Sequence, residues 1–211
     1  IQFSVINKPD LNSGYTLDDN ARALVAFCQH YRLTKDEADL KYITQYYQFI
    51  DFCQQKDGTF LNYVNENKEF TTQNDENLED SNGRAIWALG EFTAYQDVFS
   101  NDLIDKANLA LEKALVMIES FSSPRAIGFA IKGLYFYNLD KESHAIKNLI
   151  TELADNLVSK YRGISDSEWK WFENYLTYAN SILPEAMLYA AMSTESELYR
   201  KIAKSSFDFL L

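Results

Sequence analysis

Four separated stretches of this chain carry residue types that could do chemistry together. They are Tyr15, Asp18 and Asp19; Glu79, Asp80 and Arg84; Arg125; and Trp169, Trp171, Glu173 and Asn174. A carboxyl group can protonate a leaving oxygen, a carboxylate can activate water or accept from hydroxyls, and an indole face covers the apolar C–H face of a pyranose. Acids, arginines and tryptophans gathered in one place therefore suit a sugar. The expected acid pair is Asp19 with Asp80, with Asp18 and Glu79 as alternates. Arg84 would lower a neighbouring carboxylate pKa, and Trp171 would act as a stacking platform, with Tyr15, Arg125, Trp169, Glu173 and Asn174 also contacting substrate. Carboxyls about 6.5–9.5 Å apart would imply inversion at the sugar carbon, and about 5–5.5 Å retention. His30, His144, Cys28 and Cys53 fall into no HxxxH or CxxC spacing, so neither a metal nor an organic cofactor is expected. The cysteines sit in apolar helical patterns, as small buried hydrophobes do.

Bringing these stretches together requires a particular set of elements. Apolar residues recur at three and four positions almost throughout, so the chain should be all-α. Eight helices are expected, near Leu17–Leu33, Lys35–Gln55, Ser81–Tyr95, Asn101–Glu119, Pro124–Leu139, Lys141–Tyr161, Trp171–Ala191 and Glu195–Leu211. Short polar links at Thr34-Lys35, Asp140-Lys141 and Ser193-Thr194 close antiparallel hairpins. Two longer connections, Lys56–Asp80 and Arg162–Lys170, interrupt them; the first holds DGTFLNYV, a turn at Asp57-Gly58 followed by an extended stretch, and then an acidic, Asn-rich segment of solvated-loop composition.

The odd-numbered helices open with related signatures: DDNARALVAF, EDSNGRAIWALG, SSPRAIGFAIKGL and, more loosely, ILPEAMLYAA. One hairpin per repeat follows. The odd helices are rich in small residues, among them Ala21, Ala85, Gly90, Gly128 and Gly133, and form an inner ring; the even helices carry more charge and form the outer one. Inner helices running in parallel send all their N-termini to one rim, where the four stretches meet. Each motif also has a purely structural use. Thr16 with Asp18 and Asp19 makes a capping box, Glu79-Asp80-Ser81 can cap the third helix, and Arg22, Arg84 and Arg125 can clamp repeats by pairing with carboxylates of their neighbours. Tyr42, Tyr46, Tyr47, Phe49 and Phe52 read as the apolar core face of an outer helix.

Composition narrows the partners. Of 211 residues 46% are hydrophobic, which is enough for a core and argues against disorder. Lys and Arg number 20 against 31 Asp and Glu, a net charge of −11, so nucleic acid and anionic membrane surfaces are unsuited partners. No run is long and apolar enough for a membrane span. The opening IQFSVINKPD lacks the pattern of a secretory signal, which with the two scattered cysteines leans towards a cytoplasmic location.

LDDNARAL, DGTFLNYV, EDSNGRAIWALG, SPRAIGFAIKGL and WFENYLTYANSILPEAMLYA, in that order, resemble a bacterial domain of the six-hairpin glycosidase-like, (α/α)6-toroid class, often associated with glycosyltransferases. The resemblance covers roughly Tyr15 to Ala191, and where that pattern carries an Asp in LTYxN this chain has Ala179. It implies a toroid with a carbohydrate site at one rim, about four of six hairpins being present. On this resemblance residues 1–14 are expected to form an N-terminal extension and 15–211 a toroid domain incomplete at its C-terminus. The activity it implies is that of a carbohydrate-active enzyme, a glycoside hydrolase above all, with a glycosyltransferase as possible partner. A noncatalytic glycan-binding module is the alternative, marked by carboxylates tied up with Arg22, Arg84 and Arg125. Epimerases and isomerases of such toroids rely on histidine, and neither His30 nor His144 belongs to the expected rim.

Overall fold

Residues 4–211 are described by the computed structural model; residues 1–3, the start of the expected extension, lie outside the described residues. Eight α-helices follow one another among the described residues: α1 (Leu17–Thr34), α2 (Ala38–Cys53), α3 (Glu79–Thr93), α4 (Asn101–Ile118), α5 (Pro124–Tyr137), α6 (His144–Ile164), α7 (Ile182–Thr194) and α8 (Glu197–Leu210). Two short antiparallel ribbons join them, β1 (Ser4–Val5) with β2 (Lys8–Pro9), and β3 (Tyr15–Thr16) with β4 (Tyr63–Val64). Each odd helix packs on the even helix that follows it, and α1, α3, α5 and α7 pack side by side in that order. This is an all-α toroid of helical hairpins with four hairpins present, small-residue helices inside and charged ones outside.

Local chemistry explains most boundaries. Thr16 caps α1 by accepting from the Asp19 amide at 3.3 Å, and Ser123, Ser143 and Ser196 cap α5, α6 and α8 in the same manner. Lys35 and Glu195 end α1 and α7 in the left-handed region, at φ 57° and 60°, turning the chain at once into the partner helix. Seven helices begin within three residues of expectation. The seventh begins at Ile182 instead of Trp171. Buried Arg125 takes the Tyr178 carbonyl and the Asn180 side chain, and Ala179 has φ 48°, so a carbonyl that a helix would have bonded internally is turned to the guanidinium.

The inner helices α3 and α5 are in backbone contact. A Cβ on Gly90 would lie 2.0 Å from the Gly133 carbonyl oxygen, and one on Gly133 2.4 Å from that of Ile86. Glycine is needed there for close approach, not for conformational freedom. Cys28 and Cys53 are fully buried free thiols, and burial pushes the Cys53 thiol up to about 12. Tyr47 belongs to the core, but Tyr42 and Phe52 are 42% and 45% exposed and Tyr46 and Phe49 only partly buried, so the aromatic face expected to be core lies largely on the free flank of the first hairpin. No helix among the described residues is long and apolar enough to cross a membrane.

Gly90→Ala gains up to about 1 kcal/mol of helix propensity but must push α3 off α5. A net loss of about 1–3 kcal/mol is expected in urea unfolding. Gly163 in α6 meets nothing within 4 Å. Gly163→Ala should therefore stabilise, by no more than about 1 kcal/mol, in the same measurement.

Candidate functional site

The N-termini of α1, α3 and α5 converge on one rim, and the long connection after α2 is tied across them by asparagine side chains. Asn82 of α3 accepts from the Phe60 amide at 2.8 Å and donates to its carbonyl at 3.0 Å. Asn74 accepts from the amides of Asn62 (2.6 Å) and Tyr63 (2.8 Å). Asn62 in turn accepts from the Asp18 amide at 3.0 Å, and its carbonyl takes the Leu17 amide. DGTFLNYV thus becomes the strap that fixes the start of α1 beside the start of α3. The segment Asn82-Gly83-Arg84 has three separate uses: Asn82 holds this strap, Gly83 admits the backbone of Ala126, and Arg84 reaches Asp18.

Beneath the strap is a cavity of about 300 Å³ whose polar lining includes Asp18, Arg22, Asn62, Asp80 and Arg84, with Tyr63 and Tyr178 beside them. Asp18 lies 3.1 Å from Arg84 Nη1 and 3.4 Å from Arg22 Nε. Burial raises its pKa; Arg84 and Arg22 oppose this, while Asp19 and Asp80 reinforce it. Asp80 accepts from the Ser123 hydroxyl at 2.5 Å. Two carboxyls in unlike settings therefore face one space, one held towards its acid form by burial and the other set by a hydroxyl.

The other expected residues are placed differently. Asp19 is outside the cavity lining, bonded to the Thr16 hydroxyl at 2.9 Å and paired with Arg22 at 2.5 Å. Glu79 caps the next repeat: its carboxylate accepts from the amides of Ser122 (2.7 Å) and Ser123 (2.6 Å) at the start of α5. Burial works to raise its pKa, but these amides and the Ser122 hydroxyl outweigh burial and hold it below the usual range. Arg125 is buried and fully engaged, with Nη1 on both oxygens of Glu173 (3.0 and 2.8 Å) and Nε on the Tyr178 carbonyl (2.7 Å). Arg84 and Arg125 thus pair with carboxylates of neighbouring repeats, as expected of clamps, whereas Arg22 pairs within its own helix.

Trp171 has no exposed surface and packs against Phe172 and Phe209, so the expected platform is a core residue. Trp169 donates its indole N–H to the Glu173 carbonyl at 2.7 Å and stands edge-on to Phe209. Asn174 is exposed. Tyr15 faces away from the cavity across the β3–β4 ribbon. The aromatics at the cavity are Tyr63 and Tyr178, and the Tyr178 ring, 51% exposed, lies 5.1 Å from the Arg125 guanidinium and 5.7 Å from that of Arg84. Tyr178 belongs to the same WKWFENYLTY stretch, but a helix expected from Trp171 onwards puts it on a helical stripe of aromatics, which usually faces a core. Below the rim, Arg84, Phe129, Trp87 and Lys132 stack in alternation, with centroid distances of 4.5, 5.7 and 3.9 Å, and Lys132 reaches Glu185 of α7 at 2.8 Å. Buried Glu91 stands 3.8 Å from Arg32.

Row, rim and hairpin order define an all-α toroid fold of helical hairpins. Cellobiose 2-epimerase from Bacillus thermoamylovorans B4167 superposes with a TM-score of 0.73 at 13% identity over 95% of this chain and 62% of its own. Cellobiose 2-epimerase from Spirochaeta thermophila DSM 6192 gives 0.72 at 12% identity over 97% and 61%. The chain thus spans about three-fifths of the length of these similar structures. No family model and no curated protein sequence matches it.

Arg125→Ala leaves Glu173 unpaired in a buried position and frees the Tyr178 carbonyl. A stability loss on the order of 3 kcal/mol is expected. Hydrogen exchange should quicken across residues 173–180 while the amides of α2 and α4 keep their protection.

Proposed function

We propose that this domain is carbohydrate-active, holding a saccharide in the rim cavity and acting on a glycosidic bond through Asp18 and Asp80. What carries this reading is the pairing, in one cavity of about 300 Å³, of a carboxyl raised by burial with a second carboxyl, beside an exposed tyrosine ring. Asp18 in its acid form would give a proton to the leaving oxygen. Asp80 would activate water or attack the sugar carbon. Arg22, Arg84 and Asn62 offer donors for hydroxyls, and Tyr178 offers the ring face that the indole of Trp171 was expected to supply. The toroid fold, shared with enzymes that act on cellobiose, supports the substrate class.

Hydrolysis rather than epimerisation is the reaction proposed. No imidazole is among the residues lining this cavity. His30 lies towards the C-terminal end of α1, 2.6 Å from Asp39, and His144 opens α6, both at the opposite rim. Glycan recognition without turnover is the second reading, and a specific observation favours it: Asp19 is paired with Arg22, Glu79 caps α5, and Glu173 is locked to Arg125. A glycosyltransferase partner or neighbouring domain would fit that second role.

Reducing-sugar release and calorimetric binding across an oligosaccharide panel test the proposal, on wild type, Asp18→Asn and Asp80→Asn with folding checked by circular dichroism. Either substitution should lower turnover by about 10²–10⁴-fold with binding kept. Because the acid form of Asp18 is lost as pH rises through its raised pKa, the rate should fall on a basic limb lying above the ordinary aspartate value of 3.8. Binding without turnover in all three proteins would assign the recognition role instead.

A further inference from the structure

The β3–β4 ribbon has two faces, and only one of them looks into the rim cavity. Tyr15 pairs with Val64 and Thr16 with Tyr63, so Tyr15 and Val64 project from one face and Thr16 and Tyr63 from the other. Tyr63 lines the rim cavity. Tyr15 lines a second pocket, of about 410 Å³, on the far side of the ribbon, together with Phe49, Phe52, Gln45 and Gln48 of α2 and with Lys68. Phe70, bridged to Val64, stacks on Phe52 at 5.2 Å, and Tyr15 and Phe49 approach to 6.2 Å, so aromatic rings form the floor.

Asn20, which also lines this pocket, donates to the Thr16 carbonyl at 2.7 Å, but the other polar side chains around the floor are unengaged. Among the described residues the side chains of Gln45, Gln48 and Lys68 have no hydrogen bond or ion pair, whereas the side-chain oxygens of Asn62, Asn74 and Asn82 in and beside the strap all accept from backbone amides. Exposed rings with unengaged amides beside them present the apolar surface and the donor–acceptor pairs that a pyranose ring needs. A face meant only for packing against another helix would have little use for three long polar side chains with free ends.

We propose that the Tyr15–Phe49–Phe52 pocket is a second saccharide-binding site, taking pyranose units of the same oligosaccharide several units away from those in the rim cavity. The inference rests on the saccharide reading of the rim cavity and adds a chain-length requirement to it. One ribbon separates the two pockets, so a chain crossing β3–β4 engages both, and a disaccharide held in the rim cavity engages one. Lys68 adds an unpaired positive charge at this outer site, favouring units that carry a carboxylate.

Calorimetry with matched disaccharides and hexasaccharides of cello-, xylo- and galacturono- type tests this on wild type, Phe52→Ala, Gln48→Ala and Asp18→Asn. Phe52 and Gln48 lie outside the rim cavity, and two variants guard against one of them failing to fold. At least one hexasaccharide should bind more tightly than its disaccharide. Phe52→Ala should weaken the hexasaccharide by about tenfold and leave the disaccharide unchanged. Equal affinity for both lengths, or unchanged hexasaccharide binding in both outer-pocket variants, overturns the second site while leaving the rim cavity standing. Absence of binding by every saccharide to wild type overturns both. A change in mass by light scattering on Phe52→Ala, with glycan affinity unaltered, would make the face a protein interface and likewise overturn the proposal.

Discussion

Close approach of the inner helices is the constraint from which the rest of the architecture follows. Gly90 and Gly133 bring α3 and α5 into backbone contact, and Gly83 does the same at their N-terminal ends against Ala126. Helices that near to each other cannot slide or splay without opening voids or forcing a clash. Their first turns are therefore held level at one rim. The side chains of those turns then meet across repeats: Arg84 with Asp18, Glu79 with the start of α5, Arg125 with Glu173. A site assembled from distant stretches becomes possible because the scaffold leaves little freedom in where each stretch begins.

Electrostatics at the rim divide the carboxylates by task. Glu79 accepts from two backbone amides at a helix N-terminus, which favours its charged form and suits a structural role. Glu173 shares a buried guanidinium and anchors the segment before α7. Asp18 is partly buried near two arginines and two other acids, with burial the larger influence, so it leans towards the acid form. Asp80 accepts from the Ser123 hydroxyl at the same cavity. Acids that look alike in sequence thus differ by environment, and the pair facing open space, Asp18 with Asp80, differs from the expected pair of Asp19 with Asp80.

The β3–β4 ribbon gives the rim a second consequence. Because side chains alternate along a strand, one four-residue ribbon presents Tyr63 to the rim cavity and Tyr15 to the flank of the first hairpin. The flank is aromatic where an outer-helix face was expected to be core. Tyr47 alone among those five rings is fully enclosed, since it points towards α3, where Phe92 stacks on it at 5.0 Å.

The sequence by itself determined the all-α class, the hairpin order, the inner and outer division and seven helix starts, because 3.6-residue periodicity and small-residue content are local signals that tertiary packing reinforced. It also identified the rim and the demand of Arg84 and Arg125 for partners, since a buried guanidinium requires a carboxylate. Tertiary structure decided what periodicity could not express. The start of α7 depends on Arg125, 53 residues before Tyr178, drawing the Tyr178 carbonyl away from helical pairing. Trp171 is turned inward against Phe209 of α8, while the Tyr178 ring lies over the Arg125 guanidinium. Which aspartate enters the cavity depends on the Asn62 strap and on Arg84 reaching across from the next repeat. In each case the deciding partner is remote in sequence, so the physical cause lies in contacts that only the folded chain creates.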